Sequence, residues 1–186
     1  MDVEDPGFKD LYAYGVVAEV KQVLRVSDEL VKVLVEGKYR AKLLTLDSSG
    51  RFLLASTKAA ALRGTKSVDS ARVEALVRSV KEAFEEYLSL NPRLSKDVVY
   101  TIITNEDAAL LCDYIPANLL LKYTDKQALL NEGTVSGRLE KLLEILRRET
   151  KILHIEKDIQ SKVNEQMDKN PVSYTHLRAH ETSAHL

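Results

Sequence analysis

Hydrophobic residues change their spacing near residue 70, from every second position to a helical period. In GVVAEVKQVLRV, residues 15–26, Val16, Ala18 and Val20 alternate with Val17, Glu19 and Lys21, and β-branched residues are frequent. That pattern predicts a strand. Ser27-Asp28-Glu29 is a polar break of hairpin length. LVKVLVE, residues 30–36, predicts a second strand that ends at Glu36-Gly37. YRAKLLTL, residues 39–46, predicts a third, with Tyr39, Ala41 and Leu43 on one face and Arg40 and Lys42 on the other. Asp5-Pro6-Gly7 and Asp47-Ser48-Ser49-Gly50 read as turns, and FLLAS as a short fourth strand. Three or four antiparallel strands have open edges and need a second sheet or covering helices. The segment before Leu11 is too short to supply either, so we expect a sheet that lacks its opening strands.

KAAALRGTKSVDSA is a polar, Ala-rich linker. Beyond it Val73, Leu76, Val77, Val80, Phe84, Tyr87 and Leu88 form one helical stripe, stopped by Asn91-Pro92. Ser95 is placed to cap a second helix carrying Val98, Val99, Ile102 and Ile103. Asn105 is placed to cap a third, from Glu106 to about Ile115, ended by Pro116. Thr124 or Asp125 starts a short fourth helix through Leu130, and Gly133 breaks the chain. From Thr134 to about Lys169 only Gly137 interrupts a long helix. Its first half is broadly apolar, with Leu139, Leu142, Leu143, Ile145 and Leu146. Its second half narrows to Ile152, Ile155, Ile159, Val163 and Met167, flanked by Glu156, Lys157, Asp158, Lys162 and Glu165. A narrow seam between charges suits a helix that leaves its bundle and pairs with another.

Composition adds exclusions. The 186 residues carry 27 Lys and Arg against 28 Asp and Glu, for a net charge of -1. That balance gives no whole-chain attraction to nucleic acid or an anionic membrane. No apolar run approaches a transmembrane span, and acidic MDVEDPGFKD is no secretory signal. One cysteine, Cys112, excludes an internal disulfide and fits a reducing cytoplasm. Within ALLCDYI it reads as a buried structural thiol rather than a nucleophile.

Catalytic patterns are missing. Gly64-Thr65-Lys66-Ser67 matches the end of a phosphate-binding loop but has neither the first glycine nor a preceding strand of the right kind. Ser95-Lys96 and Ser161-Lys162 are sequence neighbours, and adjacency in sequence does not make a dyad. Glu85-Glu86 lie on a charged helix face. The final stretch, PVSYTHLRAHETSAHL, holds His176, His180 and His185, a conceivable three-histidine metal set. It follows Pro171 and has little apolar content, so a disordered terminus is the stronger expectation.

Three stretches carry a family resemblance: GVVAEVKQVLRVSDELVKVLVEGKYRAKLL, ARVEALVRSVKEAFEEYLSLNPRLSKDVV, and the run from ALLCDYIP through DKQALLN to RLEKLLEILRRETKILHIEKDIQSKVNEQMDKN. Together, over residues 5–170, the chain resembles the N-terminal region of bacterial Lon, the ATP-dependent serine protease. The resemblance implies an α+β fold. It begins with a partial antiparallel meander, an incomplete PUA-like pseudobarrel at 1–60, and a linker at 61–69. A helical subdomain follows at 70–133, then a long helix at 134–170 leading toward an ATPase domain. The family's ATP- and Mg-binding motifs and its Ser/Lys dyad map to no residue here. The implied role is therefore recognition of unfolded or tagged protein substrates within a cytoplasmic homo-oligomer. No catalytic, cofactor or metal residue is assigned, and no contact with nucleic acid or membrane is expected. Residues 171–186 resemble a translated transposon adapter from sequencing-library preparation, which makes them a nonnative tail. A stand-alone interaction protein dimerising through the Ile152–Met167 seam is the alternative, and a metal-binding tail a third.

Overall fold

The computed structural model describes residues 5–28, 30–64 and 70–168. The histidine-bearing tail, and residues 65–69 with the loop-like Thr65-Lys66-Ser67, lie outside the described residues.

Three strands form one antiparallel sheet in the order β1-β2-β3: β1 (Tyr14–Arg25), β2 (Val31–Asp47) and β3 (Leu54–Ala59). The β1–β2 turn closes with the Val26 N–H donating to Leu30 O at 2.9 Å and the Leu30 N–H donating to Ser27 Oγ at 3.2 Å. The break expected at Glu36-Gly37 does not occur, and β2 runs through it for 17 residues. The reason is a bulge: the register steps from Val17↔Tyr39 to Ala18↔Gly37, leaving Lys38 as the extra residue. Glycine suits the kink, because a Cβ on Gly37 would stand 3.3 Å from Val16 Cγ1. The two strands expected between Leu30 and Leu46 are thus one, and FLLAS shifts to Leu54–Ala59.

Five helices follow: α1 (Ser70–Leu90), α2 (Lys96–Thr104), α3 (Ala108–Asn118), α4 (Tyr123–Asn131) and α5 (Val135–Asp168). Ser95 caps α2, its Oγ accepting from the Val98 N–H. The cap of α3 is Asp107 rather than Asn105, with its carboxylate accepting from the N–H groups of Ala109 and Leu110 at 2.9 and 3.2 Å. Asn105 instead uses its side chain to accept from the Asp107 N–H at 2.8 Å, which positions that cap. Pro116 does not end α3, which continues to Asn118. Only one turn remains there, so the ring removes a single intrahelical bond, and its apolar body is buried. Helix α4 starts at Tyr123, one residue before the expected Thr124.

The core is helical. The stripe of α1 supplies Val77, Val80, Phe84 and Tyr87, and α5 supplies Leu139, Leu142, Ile145 and Leu146, with Ile102, Leu111, Cys112, Ile115 and Leu129 between them. Val73, Leu76 and Leu88 pack around it, half-buried. Helix α5 is 34 residues, about 51 Å at 1.5 Å per residue, longer than this core. By contrast, Ala41 is the sole buried hydrophobic residue of the sheet among the described residues.

Candidate functional site

The outer part of the β1–β2 hairpin has two unlike faces. Directly paired residues in an antiparallel ladder project to the same side, and alternate residues along one strand share a side. Val20 pairs with Val35, and Val23 with Val33, so these four and Val31 share one face. Their exposures run from 47% at Val31 to 59% at Val23, values that decide the point, because no other part of the described chain covers them. Valines at alternate positions ordinarily mark a strand with that face against a core. Here that face meets solvent among the described residues.

The opposite face carries charge. Lys21 Nζ lies 2.8 Å from both Glu19 and Glu36, and Lys38 Nζ lies 2.8 Å from Glu19 and 3.0 Å from Glu36. Glu19 and Glu36 are directly opposed in the register, a repulsive pair by itself. Two bulges resolve it. Lys38 is the extra residue of one and Lys21 of the other, where the register steps from Val20↔Val35 to Gln22↔Leu34. Both lysines thereby reach both carboxylates. Lys21, then Lys38, hold the two carboxyls below their ordinary range, and Glu19, then Glu36, raise the Lys21 ammonium. The quartet makes this side of the hairpin charged near Glu19 and Glu36, while Leu24 and Leu34 lie exposed on the same side further out.

Nearer the bundle, Leu11, Tyr12, Tyr14, Val16, Ala41 and Leu43 line a shallow cavity of about 300 Å³ that Gln127 of α4 closes. The Gln127 side chain donates to Tyr14 O at 2.9 Å. Arg40 also links the sheet to the bundle. Its Nε donates to Leu130 O at 2.6 Å, its Nη2 to Asn131 O at 3.0 Å, and its guanidinium stacks 4.0 Å over the Tyr14 ring. Burial, then the charge of Arg138, lowers the Arg40 pKa from its ordinary value.

The residues singled out from sequence fall as follows. Ile152, Ile155, Ile159, Val163 and Met167 all lie on α5 and are exposed, Met167 to 71%. Ser95 is engaged as a cap, and Ser161 and Lys162 are exposed on α5. Glu85 and Glu86 are exposed, with Glu86 Oε1 3.7 Å from His154 Nε2. Gly64 adopts a left-handed φ of 85°. Cys112 is buried, and desolvation pushes its thiol up to about 12, the state of an inert structural cysteine. Among the described residues no three His, Cys, Asp or Glu side chains cluster as metal ligands, and no helix is long and apolar enough to cross a membrane. The Arg40 contacts escaped the sequence reading, which expected apolar residues of the sheet to be uncovered but did not single out these valines. The signal for the valines was Val31, Val33 and Val35 in strict alternation within a segment whose neighbours offered no cover.

A helical bundle bearing a three-stranded antiparallel sheet defines a class: a domain of α+β architecture. Residues 1–148 match the family model described as the ATP-dependent protease La (LON) substrate-binding domain. The chain is 37% identical over 171 residues to Lon protease of Escherichia coli strain K12, covering 92% of this chain and 21% of that protein. It is 38% identical over 170 residues to Lon protease 1 of Myxococcus xanthus, covering 91% and 20%. In structure it is similar to the N-terminal domain of a Mycobacterium avium complex Lon protease, with a TM-score of 0.60 at 23% identity over 76% of this chain and 74% of that one. That likeness shows the fold. The chain belongs to the Lon substrate-binding domain family, and it spans about a fifth of the length of the curated relatives it matches.

Proposed function

We propose that this chain is the substrate-recognition part of a cytoplasmic, ATP-dependent Lon-type protease, and that its valine face holds unfolded protein clients. The single observation that carries the reading is the solvent-exposed, alternating Val20, Val23, Val31, Val33 and Val35 surface. Unfolded chains offer the apolar segments that folded proteins bury, so such a face selects for them. The β1 edge beside it, unpaired among the described residues, offers backbone groups to an extended peptide. In this reading the ATP and Mg chemistry and the Ser/Lys serine endopeptidase belong to a longer protein, and residues 1–186 alone neither hydrolyse ATP nor cleave peptide bonds. Casein incubated with ATP and the purified chain should remain intact.

The binding claim is tested by fluorescence anisotropy with labelled casein. Val23→Asp combined with Val33→Asp removes two apolar contacts from a face already open to water. Affinity should fall roughly tenfold or more, since burying a valine contributes about 1.5 kcal/mol or more. Lys32→Gln, on the opposite face, should leave affinity unchanged. Equal casein binding by the aspartate variant and the parent chain would reject the valine face.

A second assignment concerns assembly. The exposed Ile152, Ile155, Ile159, Val163 and Met167 seam favours homo-oligomer formation through α5. Sedimentation of residues 1–170 over a range of concentrations checks it, and a monomer at every concentration would contradict it.

A further inference from the structure

Four successive carbonyls at the α4–α5 connection are each taken by a donor from elsewhere in the chain. Arg40 of β2 takes Leu130 O and Asn131 O. Arg138 of α5 donates through Nε to Glu132 O at 3.1 Å. The backbone N–H of Arg63 donates to Gly133 O at 3.0 Å, and the Val135 N–H returns a bond to Arg63 O at 3.0 Å. Arg138 also reaches Asp113 of α3 at 2.6 Å, and Arg40 Nη1 reaches Ala60 O at 3.4 Å. Sheet, linker, α3, α4 and α5 therefore meet at one short loop.

That loop is itself stiff. The Glu132 carboxylate accepts from the Gly133 N–H at 3.0 Å and from the Thr134 N–H and Oγ1 at 3.3 and 3.1 Å. Thr134 Oγ1 in turn accepts from the Gly137 N–H at 3.2 Å, which caps the start of α5. A Cβ on Gly137 would lie 2.6 Å from Glu132 Cδ, so a larger residue there would displace the folded-back carboxylate.

Little apolar burial helps to aim the sheet, with Ala41 alone in the buried set. Directional bonds must do so. A guanidinium fork spans two adjacent carbonyls in a fixed plane, and the end of α4 offers them with the partial negative charge of a helix C-terminus. We propose that Arg40 is a positioning residue: its bidentate hold on Leu130 O and Asn131 O sets the orientation of the valine face relative to α5. This role is independent of what the valine face binds. Gln127 to Tyr14 O is the lesser strut, a neutral side-chain amide against a carbonyl.

The test is a distance measurement on the full chain. Spin labels at Lys32→Cys on β2 and Lys151→Cys on α5 report the angle, and Cys112 stays in place because it is buried and unreactive. The Arg40-containing protein should give a narrow distance distribution. Arg40→Ala should broaden it, and Arg40→Lys, which keeps the charge but cannot span both carbonyls, should fall between. Amide-exchange protection of α1 and α5 should be the same in all three, which separates lost orientation from lost folding. A distribution in Arg40→Lys and Arg40→Ala that superimposes on that of the parent overturns the proposal. If Arg40→Ala loses bundle protection, Arg40→Lys decides alone: broadening with protection intact supports the role, and an unchanged distribution rejects it.

Discussion

Cys112 and Arg138 sit on opposite sides of what a sequence can reveal about a residue. Cys112 lies in a run of apolar residues with helical spacing, so its burial was readable. The physical consequence is a thiol pushed up to about 12, with almost no thiolate at neutral pH. Iodoacetamide at pH 8 should leave the native chain unmodified and label it after denaturation, as followed by intact mass. Arg138 was not readable, because its partners are a carbonyl six residues earlier and an aspartate on another helix. It is only 3% exposed, whereas the Asp113 side chain is largely in water. Arg138→Ala therefore leaves one half-buried carbonyl, Glu132 O, without its donor, while Asp113 can be rehydrated. The expected loss is about 1 kcal/mol in a denaturant titration, the net contribution of a hydrogen bond to a half-buried group. Arg40 escaped for the same reason: its backbone acceptors lie 90 and 91 residues away.

Among the elements, the helices matched their periodicity because each buries one face against the others. Phe84 of α1 and Leu142 of α5 are both fully buried in that shared core. Phe84→Ala should cost about 3–5 kcal/mol by chemical denaturation, the range for a large side chain removed from a packed site. The strands were harder. Glu36-Gly37 has the composition of a turn, yet the bulge at Lys38 absorbs the kink and pairing with β1 carries β2 onward. Local composition cannot reveal which strand lies opposite, and that pairing decided the matter. The same bulges create the charge quartet, whose pH response follows from its signs. Glu19 and Glu36 have carboxyls lowered from 4.5, so their contribution is complete above that value and is lost as pH falls through the lower folded one. Lys21 is raised from 10.5, so its contribution is present below that value and is lost as pH climbs past it. The hairpin amides of Ala18 and Gly37 should shift in NMR spectra on acidification below about 4.5. In a Glu19→Gln, Glu36→Gln variant that movement should disappear. All four groups are exposed, so the effect is local, and persistence of the movement in the variant would argue against the quartet.

For the whole molecule, the division of labour is between a bundle that supplies the core and a sheet that spends its apolar residues on solvent. The family was legible because the order of weak patterns along the chain was specific, more than any one of them. The surface was not, since alternating valines look the same whether they face a core or a client. Only the arrangement of the other elements shows that the Val20–Val35 face has no cover within the described chain. The most direct test is amide hydrogen exchange of the chain with and without saturating casein. The account predicts added protection along β1 and β2, centred on Val20, Val23, Val33 and Val35, with α1 to α4 unchanged. Protection confined to the helices, with the hairpin exchanging as in the free chain, would contradict it.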